Sequence, residues 1–183
     1  MEIVLIAVLL VVITGAFYYA YHEMRVRRAA RRKREALLAQ LATLPPVKAD
    51  FSTPEGAVLC LEDTYRSRDI EAAIVCRNFA AEARLWLQQR HMSQAMKDEM
   101  LPKVTITMEK SFRDSLAKQW PMGWEGSKSF FPKREPLADG VISVSEITLR
   151  PNGSFSRQQI LVARTTNGWR VVTQLPTYVD DLA

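Results

Sequence analysis

The pattern of apolar and polar positions changes character along the chain. From Ile3 to Tyr21 (IVLIAVLLVVITGAFYYAY) no charge interrupts it. As a helix rising about 1.5 Å per residue, this run spans roughly 28 Å, the thickness of the hydrocarbon layer of a bilayer. Phe17, Tyr18, Tyr19 and Tyr21 gather at its end, where rings with polar tips favour the headgroup boundary. The pattern predicts a transmembrane anchor over residues 1–21. A cleaved signal peptide would need a positive leading region and a small-residue cleavage site, and the run has neither. The block RVRRAARRKRE follows, and basic residues beside a membrane helix resist translocation. This predicts a single-pass protein of the bacterial inner membrane, with its N-terminus outside, its soluble domain in the cytoplasm and the lipid bilayer as a partner. The helix-forming composition continues to about Thr43, and Leu44-Pro45-Pro46-Val47 ends it. Residues 22–48 therefore read as a basic juxtamembrane helix with a proline linker, and 49–183 as a soluble domain.

In that domain helices come first. Ser52-Thr53-Pro54-Glu55 combines a capping hydroxyl, a first-turn Pro and a Glu, and it opens a helix over 54–66 with Ala57, Val58, Leu61 and Tyr65 on one stripe. Asp69 caps a second helix, Ile70 to Cys76. A third runs from Phe79 to Gln89, with Phe79, Ala83 and Trp86 or Leu87 inward. A fourth runs from Ser93 to Gln119, with Pro102 a kink or an interruption. After Trp120 the period becomes two. An irregular strand near Lys128 to Phe131 precedes three regular ones, Val141 to Arg150, Ser154 to Thr165 and Trp169 to Leu175. They are joined through Asn152-Gly153 and Asn167-Gly168, pairs suited to tight hairpins. Helices followed by an antiparallel meander make the class α+β, with the helices packed on a curved, cone-like sheet.

Composition narrows the function. The 183 residues carry 25 Lys and Arg against 20 Asp and Glu, which invites a nucleic-acid partner. Eight of the basic and three of the acidic residues lie before position 49, which leaves 17 of each sign in the domain. A neutral domain argues against nucleic acid. Cys60 and Cys76 sit in apolar helical contexts and read as free thiols. Two Cys and two His supply no zinc ligand set, and no cofactor motif is present. Asp63 and Glu62 fall on the polar side of the first helix, and His91 falls in a connection. Glu146 interrupts an apolar strand, as a bulge would. Tyr65 and Glu146 form a candidate pocket. Trp120, Trp124, Phe130 and Phe131 crowd an irregular stretch and form a candidate binding surface. With no nucleophile elbow, phosphate loop or oriented acid–base pair, the domain reads as a binding module and not as an enzyme.

Thr53-Pro54-Glu55, Tyr65, Asp69, Ala72-Ala73 and Gly168-Trp169-Arg170-Val171 follow a layout similar to that of the nuclear transport factor 2-like (cystatin-like cone) superfamily. Arg77 to Leu85 (RNFAAEARL) resembles bacterial immunity proteins of that fold, which neutralise polymorphic toxins. The resemblance implies a cone-shaped domain, a toxin as the protein partner and a homodimer formed through the outer sheet face. A separate reading is a structural accessory of an envelope complex, with the transmembrane helix as the interaction surface. The alternative within the same fold is a small-molecule-binding domain or enzyme, with an acid and a base inside the cone.

Overall fold

The computed structural model describes residues 2–121 and 124–174, with the side chains of residues 2–14 and 16 outside the description. The chain divides into two compact units between Thr43 and Leu44.

The first unit is one helix, α1 (Glu2–Ala42). Exposed pairs one turn apart, Glu23–Arg27 at 2.6 Å and Arg31–Glu35 at 2.8 Å, support its basic half. Among the described residues no helix is long and apolar enough to cross a membrane, which corrects the expected transmembrane anchor. The described side chains begin at Gly15, and Glu23, Arg25, Arg27 and Arg28 soon put charge on successive turns. The apolar run before Gly15 lies outside the described side chains. The single-pass inner-membrane placement, with the N-terminus outside and the domain in the cytoplasm, is corrected with it, and the bilayer partner loses its basis in the described residues.

The second unit is α+β. Four helices, α2 (Pro54–Ser67), α3 (Ile70–Val75), α4 (Phe79–Gln88) and α5 (Gln94–Lys118), precede four strands, β1 (Lys128–Pro136), β2 (Val141–Leu149), β3 (Phe155–Thr165) and β4 (Gly168–Gln174). Each of these helix starts is capped by a side chain. The side chains of Thr53, Asp69, Asn78 and Ser93 accept from the backbone N–H three residues on. The α2 cap is Thr53, one residue after the Ser52 of the sequence pattern. Pro102 lies within a continuous α5.

The strands pair antiparallel in the order β1-β2-β3-β4. The β2–β3 register is unbroken from Val141 to Leu149 and sets Glu146 opposite Gln158, so Glu146 is not in a bulge. The register shifts fall instead in β1, between Phe130 and Lys133, and in the β3–β4 pairing, between Leu161 and Val162.

Alternation along the strands divides the core between the two faces. Val144, Ile160, Val162 and Val171 pack with Val58, Leu61 and Tyr65 of α2, Ala73 of α3, Cys76, and Leu116 of α5. On the opposite face Val141 and Ala163 join Ala81 of α4 and Val172, with Leu85 and Leu161 against them. Leu87 is the inward residue of α4, while Trp86 is 39% exposed.

The α3–α4 junction is tied to β4. The Val171 N–H donates to the Cys76 carbonyl at 2.9 Å, and the Asn78 N–H donates to the Val171 carbonyl at 2.7 Å. The segment before α2 is held by close approach. A Cβ on Gly56 would lie 2.4 Å from the Asp50 carbonyl oxygen, and one on Gly168 (φ 99°) 2.3 Å from that of Phe51. The Trp169 N–H donates to the same Phe51 oxygen at 2.8 Å.

Candidate functional site: an aromatic and arginine-lined cleft

An open cleft of about 690 Å³ lies where four segments meet. The last turn of α2 supplies Tyr65, Arg66 and Arg68, and the end of α5 supplies Gln119, Trp120 and Pro121. Trp124 and Glu125 precede β1, and Arg150, Pro151 and Asn152 form the β2–β3 turn. Tyr65 is the hub of its aromatic wall. Its ring centroid is 6.4 Å from Trp120, edge-to-face at 67°, and 5.9 Å from Trp124, tilted at 46°. Burial pushes the Tyr65 phenol up to about 12, against the opposing charge and hydrogen bond of Arg77. Tyr65 is therefore neutral at physiological pH and contributes an apolar face.

The three arginines play different parts. Arg66 donates from Nε to the Trp124 carbonyl at 3.2 Å and from Nη2 to Glu62 Oε2 at 2.8 Å, and it also pairs with Asp63. It is a fixed strut that holds the Trp124 backbone. Arg68 and Arg150 are exposed, and neither makes a side-chain hydrogen bond or ion pair among the described residues. Arg68 sits at the α2 C-cap with φ 56° and ψ 42°, a left-handed position that favours glycine. Arg150 opens the hairpin, and its carbonyl accepts from the Gly153 N–H at 2.8 Å.

Behind the cleft, between α2 and the sheet, lies a pair of buried carboxyls. Glu62 is 2% exposed and Glu146 1%. Ser129 Oγ donates to Glu62 Oε1 at 2.7 Å, Thr148 Oγ1 donates to Glu146 Oε1 at 3.0 Å, and Gln158 Nε2 donates to Glu146 Oε2. Burial, then a hydrogen bond with Glu146 and its charge, pushes Glu62 up to about 9; Ser129 and Arg66 oppose the rise. Glu62 thus carries a proton at neutral pH, and the hydroxyl and amide donors around Glu146 suit it as the acceptor. The expected solvated position of Glu62 is corrected: Glu62 follows Val58 by one turn and continues the inward stripe.

Of the residues singled out in the sequence, the fold brings Tyr65, Trp120 and Trp124 to one cleft. Trp120, Trp124 and Phe131 also pack against the main core cluster. Phe130 and Phe131 are half-buried on β1 and are not part of the cleft lining. Glu146 does not reach the cleft; it meets Glu62 in the core, so Tyr65 and Glu146 do not form one pocket. Asp69 is the α3 cap, accepting from the Ala72 N–H at 2.9 Å, and His91 is exposed between α4 and α5. Arg68 and Arg150 carried no sequence signal, since an exposed arginine looks alike anywhere on a surface. Among the described residues no group of three or more His, Cys, Asp or Glu is placed to hold a metal ion. Both cysteines are free, and burial pushes the Cys76 thiol up to about 12, an inert thiol.

No family model, curated protein or solved structure matches the chain.

Proposed function

We propose that the domain is a non-catalytic protein-binding module that receives its partner at the Tyr65–Trp120–Trp124 cleft. The observation that carries this reading is the division of polar groups. The buried carboxyls, the residues with the most acid–base potential, are enclosed and satisfied by Ser129, Thr148, Gln158 and Arg66. The groups open to a ligand are aromatic faces, Arg68 and Arg150, and the polar side chains of Gln119, Glu125 and Asn152. Large aromatics and arginine are the side chains that most often anchor protein interfaces. A general acid or base must come within hydrogen-bond reach of the bond that reacts; neither Glu62 nor Glu146 lines the cleft, and the carboxyl that does, Glu125, is exposed to solvent.

In its sharpest form the partner is a toxin that the domain neutralises, a form supported by the likeness of Arg77 to Leu85 to immunity proteins. Co-expression with a candidate toxin tests that form through cell survival. The module reading is tested by a photo-crosslinking amino acid placed at Trp124, at Arg68 and, as a control, at exposed Ile106 on α5. A discrete crosslinked protein from the two cleft positions and none from Ile106 is the expected result. Equal crosslinking at all three, or none, overturns it.

A further inference from the structure

We infer that the cleft is built for an acidic segment of a protein partner, one that sets an apolar side chain against Trp120 and Trp124 and its carboxylates on Arg68 and Arg150. The inference rests on the binding-module reading and adds the chemistry of the occupant.

Charge is the first argument. The lining carries Arg66, Arg68 and Arg150 against the single acid Glu125, on a domain that holds 17 charges of each sign in all after Lys48. Arg66 is already paired with Asp63 and hydrogen-bonded to the protonated Glu62. The available positive charge is therefore that of Arg68 and Arg150, one at the end of α2 and the other at the β2–β3 turn. A guanidinium presents a planar fork of donors that matches a carboxylate.

Backbone conformation is the second argument. The C-cap of α2 adopts the left-handed conformation, and the cap N–H donates to the Thr64 carbonyl. Glycine fills such a position without strain, whereas a residue with a Cβ is disfavoured. The chain keeps an arginine there, with no partner for its guanidinium among the described residues. A strained position that delivers an unpaired cation to a cleft is a pointer to a ligand.

The aromatic wall is the third. Trp120 and Trp124, backed by the buried Tyr65, offer apolar area that a purely ionic ligand would leave uncovered, so the fitting occupant mixes carboxylates with an apolar residue. A nucleic acid would also place anions beside aromatics, but it calls for a basic track wider than two arginines on a neutral domain.

The test uses the full-length chain and three labelled peptides with blocked ends, read by fluorescence anisotropy: Glu-Asp-Leu-Phe-Asp-Glu, its Gln/Asn counterpart, and a counterpart with Lys at each acidic position. The acidic peptide should bind at least about tenfold more tightly than the neutral one, and raising the salt to about 0.5 M should close the gap. Arg68→Gly should weaken it by about tenfold while leaving Tm unchanged or raised, a combination that a merely structural role of Arg68 would not give. Arg150→Gln should weaken it similarly. If the neutral peptide binds as well as the acidic one, the cleft still binds protein and the acidic preference is overturned. If no peptide binds, both the preference and the cleft reading fall. Displacement of the acidic peptide by a short single-stranded RNA at equal concentration also overturns the inference.

Discussion

Glu62 on α2 and Glu146 on β2 face one another in the core at 2% and 1% exposure, with Ser129, Thr148 and Gln158 as donors around them. Two ionised carboxylates at such a site would each lose their hydration and repel the other. A proton on Glu62 removes one charge and supplies a donor to Glu146.

This proton ties stability to pH. Unfolded, Glu62 titrates near 4.5; folded, near 9. A raised acid binds more protons in the folded state between those values. Its stabilising contribution is complete below the lower value and is lost as pH rises to the upper one, at no more than about 1.4 kcal/mol per pH unit. Glu62→Gln removes the titration and keeps the side-chain volume. Urea unfolding between about pH 5 and 9 should show the variant gaining on wild type as pH rises. Parallel stability curves for the two proteins would refute the assignment.

Arg77 is the other buried charge. It is 9% exposed and donates from Nη2 to Glu82 Oε2 and to the Val172 carbonyl, each at 2.7 Å. Its guanidinium carbon lies 4.9 Å from the centroid of Phe112 and 5.5 Å from that of Phe79. Nε has no partner among the described residues, which subtracts from what the site contributes. Removing one partner of a buried pair costs about 3–5 kcal/mol, and Glu82 at 22% exposure recovers some hydration. Arg77→Ala should therefore cost about 3 kcal/mol by urea unfolding. A loss below about 1 kcal/mol would show that the pair is dispensable.

Much of the domain was legible because its signals are local. Period-two alternation and the Asn-Gly pairs mark the three later strands, and Asp69 stands where a cap belongs, whereas the α2 cap falls one residue after the expected Ser52 and the caps Asn78 and Ser93 were not read. β1 was read only in part because its bulge after Phe130 breaks the alternation. Glu62 was misplaced because a charge on a core-facing stripe reads as the edge of the polar face until its partner is known, and that partner arrives on β2. The stripe Val58, Leu61, Tyr65 already pointed to it. Arg68 and Arg150 became visible only when the fold brought the α2 C-cap and a hairpin turn to one cleft. For the N-terminal apolar run, composition alone carried the anchor reading, and the described residues do not support it.

Gly168 couples β4 to the segment before α2. Its φ of 99° and the approach of the Phe51 carbonyl leave no room for a side chain. Gly168→Ala should cost about 2–4 kcal/mol, from backbone strain and from displacement of Phe51, whose ring lies 3.7 Å from the Arg170 guanidinium carbon. A thermal melt tests this, and an unchanged Tm would mean that the 48–51 segment is free to move aside.

Arg66 joins the carboxyl pair to the cleft, since one guanidinium holds both Glu62 and the Trp124 carbonyl. Arg66→Met keeps the apolar stem and deletes both contacts together with the pair to Asp63. At pH 7 Glu62 is protonated with or without Arg66, so the loss is that of two hydrogen bonds to neutral groups and one solvent-exposed ion pair, about 1–2 kcal/mol. Above about pH 9 wild-type Glu62 ionises against a cation, whereas the variant must bury that charge alone. Its folded-state pKa rises further, and the stability gap to wild type widens with pH. The Trp124 backbone also loses its strut, so the cleft should loosen and collisional quenching of tryptophan fluorescence should rise already at pH 7. A gap that stays constant between about pH 7 and 10 would separate Arg66 from the carboxyl pair. Unchanged quenching would separate it from the cleft.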